Sequence, residues 1–254
     1  MANPLVDIQQ YGQSVWYDNI RRSLITSGEL KNLVDNDGLL GVTSNPAIFE
    51  KAIAGSTDYD SALQALELRQ DMDAKAIYEH LAIEDIQMAA DVLAPVYART
   101  NKRDGYVSLE VSPYLAHDTA GTIEEGRRLW QTVQRANVMI KVPATPAGIP
   151  AIQQLISEGI NVNVTLLFHM SMYEQVAEAY ISGLEKRLAS GGNPSGIASV
   201  ASFFISRIDT AVDAQIEARL KNAQSREERM LRGLLGKIAI ANANVVSVAS
   251  RMRR

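Results

Sequence analysis

One lysine lies inside an otherwise apolar segment, and its amine is the most reactive group that the sequence offers. Lys141 is the fifth residue of NVMIKVPAT, residues 137–145. A neutral amine can add to a carbonyl carbon and form a Schiff base, the usual covalent chemistry of lysine in enzymes. Because an ordinary lysine has a pKa of about 10.4, only roughly one in 2,500 is neutral at pH 7. We therefore expect Lys141 to be a Schiff-base nucleophile in a buried site.

Other polar residues fall on the same side as Lys141 when each strand-like segment is sorted by parity, because successive strand side chains point to opposite faces. Beside Lys141 the sorted set contains Met139, Pro143, Ser108, Glu110, Ser112, Asn161, Asn163 and Thr165. The opposing apolar set contains Val138, Ile140, Val142, Val107, Leu109, Val111, Val162, Val164, Leu166 and Phe168. Asp18, Asn45 and Ser202 stand late in three further strand-like segments. The polar set could converge at one end of a sheet.

The elements that would position these residues alternate between apolar strand-like segments and amphipathic helical segments, the βα pattern of a parallel sheet. Strands are expected within residues 14–20, 41–46, 105–113, 137–145, 161–168 and 196–206. Residues 49–103 predict several helices, with 71–93 the clearest, and a further helical region follows Arg207 with a capping box at 225–228. The last ten residues predict at most one short strand. The expected fold class is an α/β barrel of the TIM (β/α)8 type, with a helical insertion between strands 2 and 3 and an apparent truncation after strand 6.

Each candidate also has a plain structural interpretation. Lys141 could be a salt-bridged lysine with Glu110 or Asp18 as its partner, although a buried charged pair seldom adds stability. The amides and hydroxyls could be interior polar groups satisfied by hydrogen bonds. The carboxylates would favour the charged ammonium, whereas burial would favour the neutral amine, so the two effects compete. What favours a catalytic site is the convergence of polar residues from six strands on one barrel end, where such barrels carry their active sites.

Composition restricts the classes of protein to consider. The 254 residues carry 25 Lys and Arg against 29 Asp and Glu, a net charge of −4 without a basic stripe, so we expect no nucleic-acid partner. No stretch resembles a signal peptide or a membrane span, so we expect no membrane partner and a cytoplasmic location. The chain has no cysteine, and His80, His117 and His169 are scattered without metal-ligand spacing. We expect one domain, residues 1–254, without a metal or a cofactor; the sequence does not predict its oligomeric state.

Two segments closely resemble the signature segments of the transaldolase family, GVTSNPAIF at 41–49 and MIKVPATPAGIPAIQQL at 139–155. The resemblance extends through YVSLEVSP, NVNVTLLF and ASFFISRID, and covers about residues 10 to 243. It implies a barrel enzyme with sugar-phosphate substrates. Such an enzyme transfers a dihydroxyacetone unit from sedoheptulose 7-phosphate or fructose 6-phosphate to an aldose phosphate, in the non-oxidative pentose phosphate pathway.

The resemblance also implies a role for each matching residue. Lys141 would form the Schiff base, and Asp18 would take the proton from the C4 hydroxyl of the donor. Glu110 would move protons through a water that Thr165 also holds. The substrate-binding set would be Asn45 and Asn163 at the enamine and its hydroxyls, Ser202 and Arg207 at a phosphate, and Phe204 along the mouth.

Two alternatives remain open. The fructose-6-phosphate aldolase branch shares the lysine and the barrel, but usually has Gln at the position of Glu110 and Tyr at that of Phe204. Family members also continue past the IAIANA helix into two more strands, so we expect strands 7 and 8 to be missing and the final ten or so residues to be foreign to the family. An incomplete barrel has two open sheet edges. The second alternative is therefore a truncated, inactive barrel fragment.

Overall fold

Six short strands form one parallel sheet in the computed structural model, which describes residues 3–67 and 72–252. The strands are β1 (Trp16–Asp18), β2 (Gly41–Thr43), β3 (Tyr106–Glu110), β4 (Val138–Pro143), β5 (Val162–Leu167) and β6 (Ser199–Phe203). They lie in sequence order, and each pair of neighbours is parallel. All six expected strands are confirmed, and the sheet with its helices is a curled half-barrel, an α/β fold of the TIM type.

Helices connect the strands. They are α1 (Pro4–Asp7), α2 (Arg22–Thr26), α3 (Glu29–Asn36), α4 (Pro46–Ala54), α5 (Asp60–Glu67), α6 (Ala74–Arg99), α7 (Thr119–Val133), α8 (Gly148–Glu158), α9 (Met170–Ala189), α10 (Ser206–Leu220), α11 (Ser225–Leu234) and α12 (Ile238–Met252), with 3-10 turns at Ile8–Tyr11 and Pro113–Leu115. Within residues 3–67 and 72–252, none of these helices is long and apolar enough to cross a membrane.

The connection from β2 to β3 holds three helices, α4, α5 and α6. The expected helix over 71–93 corresponds to α6, although its first residue, Asp71, lies outside the described residues. Helix α6 starts after Asp73, whose side chain accepts a hydrogen bond from the Ala76 N–H at 2.8 Å and so satisfies one of the unpaired donors of the first turn. Helix α6 then continues to Arg99 and buries one apolar face against the sheet.

The core lies between the central strands and the helices that cover them. Val138, Ile140 and Val142 of β4 are fully buried, as are Val162 and Val164 of β5. Both strands therefore have the apolar helix-facing side that parity predicts for a covered parallel sheet. Burial on this scale holds the backbone of the two central strands in place, and with it the side chains that project from their other face.

An aromatic pair packs across the first three strands of the sheet. The Trp16 ring of β1 stacks on Tyr106 of β3, with ring centroids 6.4 Å apart. It crosses β2 at Gly41, where a Cβ atom would lie only 2.3 Å from the indole. Glycine is therefore required at this crossing.

The strand alternation ends earlier in β5 than expected. Leu166 has a φ of 59°, in the left-handed region, and the pairing of β5 with β6 shifts register between Val164 and Leu167. As a result Leu167 is fully buried, whereas Leu166 is 38% exposed and Phe168 39% exposed. The prediction that Leu166 and Phe168 share the helix-facing side with Val164 is wrong, because this bulge turns the end of the strand.

The C-terminal region is formed by helices. Residues 245–252, for which at most one short strand was expected, continue α12 and form none. Helix α11 takes Gln224 as its N-cap and Ser225 as its first helical residue, so the predicted capping box does not form. Ala239 and Val246 are both buried. Because they are seven residues apart, about two helical turns, they lie on the same side of α12, and this side packs against the rest of the chain.

Candidate active site

Lys141 lies in β4 with its side chain only 7% exposed, between Glu110 of β3 and Asn163 of β5 in the strand register. Its Nζ donates a hydrogen bond to the backbone carbonyl of Ser44 at 3.0 Å. The Thr43 Oγ1 lies 3.4 Å away and the Glu110 Oε2 3.6 Å away. The amine is thus buried among oxygen atoms from the end of β2, the residue that follows it and the end of β3.

Glu110 ends β3 beside this amine. Burial raises the pKa of its carboxyl above the usual range, and the nearby Lys141 opposes that shift. The charge of Arg207 also lowers the pKa of Glu110, and the charge of Asp18 raises it. A raised pKa makes a carboxyl better able to both release and accept a proton near neutral pH, which suits a proton shuttle.

A chain of hydrogen bonds crosses the sheet beside the lysine. Ser202 Oγ of β6 donates to Asn163 Oδ1 at 2.7 Å, and Asn163 Nδ2 donates to Ser108 Oγ at 2.9 Å. Asn163 is 1% exposed and Thr165, two residues further along β5, is 3% exposed. The expected grouping of Asn163, Thr165 and Ser202 with Lys141 therefore agrees with the strand geometry.

Asp18 and Asn45 lie at the ends of the first two strands. Asp18 is exposed and pairs in register with Thr43, the residue whose hydroxyl contacts the Lys141 amine. Asn45 caps α4, since its Oδ1 accepts a hydrogen bond from the Ile48 N–H at 3.0 Å. This cap leaves the amide nitrogen of Asn45 as the end that could contact a substrate.

The residues expected at a phosphate lie on the β6 side. The Arg207 guanidinium lies over the Phe204 ring, 4.5 Å from its centroid, and Phe204 stacks on Phe168 with centroids 5.0 Å apart. Arg207 is exposed, and Ser202 and Phe204 are partly so. We call Phe168, Phe204 and Arg207 the aromatic–arginine cluster. A guanidinium held on a ring with an open outer side suits a phosphate group.

Three contacting residues were missed from the sequence. Thr43 and Ser44 belong to the motif that supplied Asn45, and the parity of β2 could have indicated Thr43. Ser44 acts through its backbone carbonyl, for which side-chain patterns carry no signal. Phe168 was placed on the wrong face because the Leu166 bulge has no marker such as glycine.

A metal centre is not indicated by the described part of the chain, where no three His, Cys, Asp or Glu side chains are grouped to hold an ion. The available chemistry is that of an amine, carboxylates, amides and hydroxyls. Together they could add to a carbonyl and move protons around the resulting imine.

Comparison with known proteins agrees with this chemistry. Residues 15–244 match the model of the family described as transaldolase/fructose-6-phosphate aldolase. The chain is 55% identical over 245 residues to transaldolase 2 of a Nostoc species, and 54% identical over 246 residues to transaldolase 2 of Nostoc punctiforme. It is 48% identical over 246 residues to a transaldolase of Trichodesmium erythraeum.

Each of these matches covers 96% of this chain and 64% of the relative. The chain therefore spans a little under two thirds of the length of the curated relatives it matches. The match includes all six strands and every residue placed around Lys141 above. On this evidence the chain belongs to the transaldolase/fructose-6-phosphate aldolase family.

Proposed function

We propose that the chain carries out transaldolase chemistry through a Schiff base on Lys141. The observation that carries the proposal is the burial of this amine 3.6 Å from the Glu110 carboxylate, on the polar face of a parallel sheet. A lysine placed only for stability would be an unusual choice there, because a buried charged pair rarely adds stability. Family membership supports the same assignment.

In the proposed reaction the Lys141 Nζ adds to the carbonyl carbon of a ketose phosphate. Glu110, with a water that Thr165 also holds, supplies and removes the protons as the carbinolamine loses water to form the imine. Asp18 takes the proton of the C4 hydroxyl, the C3–C4 bond breaks, and an aldose phosphate leaves. The electron pair of that bond forms an enamine, which Asn45 and Asn163 hold. This is covalent catalysis with a stored three-carbon intermediate.

The substrates required by this reaction are sugar phosphates of the non-oxidative pentose phosphate pathway. Sedoheptulose 7-phosphate or fructose 6-phosphate would be the donor, and erythrose 4-phosphate or glyceraldehyde 3-phosphate the acceptor. Ser202 and Arg207 would bind the phosphate, since a hydroxyl and a guanidinium both donate to its oxygens. The proposal treats the chain as one domain and places it in the cytoplasm with these metabolites.

Borohydride trapping tests the proposal directly. Folded, soluble protein incubated with fructose 6-phosphate should give a reduced three-carbon adduct that peptide mass analysis assigns to Lys141. The Lys141→Met variant should give none. Lys186→Met, which removes an exposed lysine of α9, is the matched control and should be labelled like the unmodified chain. Absence of an adduct on folded protein would contradict the proposal and favour a sheet that holds the residues without turnover.

A second measurement separates the two activities of the family. A transaldolase needs erythrose 4-phosphate or another acceptor to turn over, whereas a fructose-6-phosphate aldolase releases free dihydroxyacetone without one. We expect turnover that depends on the acceptor, since Glu110 and Phe204 are the transaldolase choices at both discriminating positions. Steady release of dihydroxyacetone in its absence would support the aldolase instead.

A further inference from the structure

A buried charged cluster lies below the loop that follows β1. Asp85 of α6 is fully buried and accepts hydrogen bonds from Arg22 Nε at 2.8 Å and from the Tyr59 hydroxyl at 2.6 Å. Tyr59 is also fully buried, and the Arg22 guanidinium lies 4.9 Å from the centroid of its ring. We call Arg22, Tyr59 and Asp85 the Asp85 cluster. It joins three segments that are far apart in sequence.

Stability alone does not account for this cluster. Burial raises the pKa of Asp85, although the hydrogen bonds from Tyr59 and Arg22 favour its charged form. Replacing a buried ion pair by apolar residues of similar size is often neutral or stabilising, whereas removing one partner is costly. What a buried pair of this kind can supply is one defined geometry, so the question is which part of the molecule it fixes.

The cluster fixes the start of α2. The N-cap residue of α2, Arg21, makes no side-chain capping hydrogen bond. The first-turn donors are satisfied instead from the α4–α5 connection, as the Arg22 N–H donates to the Tyr59 hydroxyl at 3.1 Å and the Ser23 N–H to Asp58 Oδ2 at 3.0 Å. A five-residue helix has little stability of its own, so its position depends on these contacts.

The start of α2 is four residues after Asp18. Asp18 itself pairs with Thr43 in the sheet register. Ile20, which lies between Asp18 and α2, is fully buried. Within the described residues, no side-chain hydrogen bond holds the Asp18 carboxylate itself. Its place beside Thr43, whose hydroxyl contacts the Lys141 amine, is therefore set by the backbone that runs from β1 to Arg22, and the Asp85 cluster holds the far end of that backbone.

We propose that Asp85 and Tyr59 are positioning residues that hold Asp18 where it can take the proton during carbon–carbon bond cleavage. The inference rests on the proposed function, because it assigns the cluster to one step of that reaction. The inference predicts that two steps of the reaction on Lys141 respond differently to a change in the cluster. Imine formation depends on Lys141 and Glu110, whereas cleavage depends on Asp18.

The two steps leave different products on Lys141 when borohydride is added soon after fructose 6-phosphate. Reduction before cleavage gives a six-carbon phosphorylated adduct, and reduction after cleavage gives a three-carbon adduct. Asp85→Asn should keep adduct formation but lower the early ratio of three-carbon to six-carbon adduct by roughly 10- to 100-fold, the scale expected when a catalytic group is displaced by about 1 Å. Tyr59→Phe, which keeps the ring below Arg22 but removes both hydroxyl contacts, should lower the ratio in the same direction.

Two controls separate positioning from a general loss of stability. Asp91→Asn makes the same change on the same helix, but its partner is Arg135 in the turn before β4, so its ratio should be unchanged. Ile156→Val weakens the packing of α8 and should also leave the ratio unchanged at a comparable loss of unfolding midpoint. If Asp85→Asn does not fold, Tyr59→Phe carries the same test.

The outcomes distinguish the two proposals. An unmodified chain that gives no adduct of either size would overturn the proposed function. An unmodified chain that reacts, with Asp85→Asn and Tyr59→Phe variants that keep its adduct ratio, would overturn the positioning role alone. A fall in both adducts together would also contradict the positioning role, because it would show that the variant impairs imine formation at Lys141 rather than cleavage.

Discussion

The strands β4 and β6 carry the two halves of the candidate site and differ sharply in their surroundings. All six residues of β4 are buried, between β3 on one side and β5 on the other. None of the five residues of β6 is buried, and in the described part of the chain β6 pairs with β5 alone. The proposed nucleophile therefore lies in the most enclosed strand of the sheet, whereas the residues assigned to phosphate lie on or just after a strand without a buried residue.

The difference follows from what each group has to do. Water hydrolyses an imine, so an amine that has to hold one as an intermediate is better enclosed, as Lys141 is. A guanidinium keeps its charge in every environment and can bind a phosphate at a surface, so Arg207 needs orientation rather than burial. The enclosed half should then be sensitive to protonation and packing, and the exposed half to the loss of single contacts.

The largest effect is expected at Glu110. An ordinary glutamate has a pKa of about 4.3. Because the pKa of Glu110 is raised, its carboxylate takes up a proton at a higher pH than that when the solution is acidified. The rate of three-carbon adduct formation should therefore fall on acidification over a pH range above that value. Glu110→Gln should lower the neutral-pH rate about 100-fold and remove this acidic limb. A pH series of trapping rates measures both.

The matched control is Glu79→Gln, which makes the same carboxylate-to-amide change at the surface partner of Arg128. It should keep both the rate and the limb. Persistence of the limb in Glu110→Gln would show that another group produces it, and would remove Glu110 from the proton transfers.

How far the sequence predicts the fold depends on which contacts decide each element. The six strands follow from alternation, since a covered parallel sheet requires one apolar face and β4 supplies it in Val138, Ile140 and Val142. Residues 245–252 contain three valines, and local preference allows at most one short strand there. They are helical because the chain continues from Ile238 and buries Ala239 and Val246 on one side, a tertiary contact that local preference does not contain.

Packing in the two halves gives the next largest effect. Ile140 of β4 is fully buried, and Ile140→Ala should lower the free energy of unfolding by about 2 to 5 kcal/mol. Val200 of β6 is only half-buried, so Val200→Ala should cost about 1 kcal/mol or less. Urea unfolding followed by circular dichroism measures both. Equal losses would show that the two strands contribute alike to the core, contrary to the burial pattern.

The sequence predicts those parts of the candidate site that follow from the alternation of side chains along a strand. Lys141, Glu110 and Asn163 share a face because strands alternate, and their registers place them side by side. The Ser44 carbonyl and the Asp85 cluster could not be found in this way, since one is backbone and the other joins residues 63 apart in sequence. Both depend on tertiary placement.

The smallest effect is expected at Phe168, in the exposed half. Its ring stacks on Phe204, and the Arg207 guanidinium lies over the Phe204 ring, so in the proposed site Phe168 would support phosphate binding through two contacts. An aromatic pair of this kind contributes about 0.5 to 1.5 kcal/mol beyond its buried area. Phe168→Leu should therefore raise KM for fructose 6-phosphate by about 2- to 10-fold and leave kcat nearly unchanged, because the Lys141 surroundings are not altered.

Steady-state kinetics with a phosphorylated and an unphosphorylated donor sharpens this test. Only the phosphorylated donor should lose affinity in Phe168→Leu, since the aromatic–arginine cluster is assigned to the phosphate. Tyr11→Leu removes an exposed aromatic ring ahead of β1 and should change neither value. A lower kcat at constant KM would mean that Phe168 influences the enclosed half as well, so that the two halves of the sheet are not independent in the way their burial indicates.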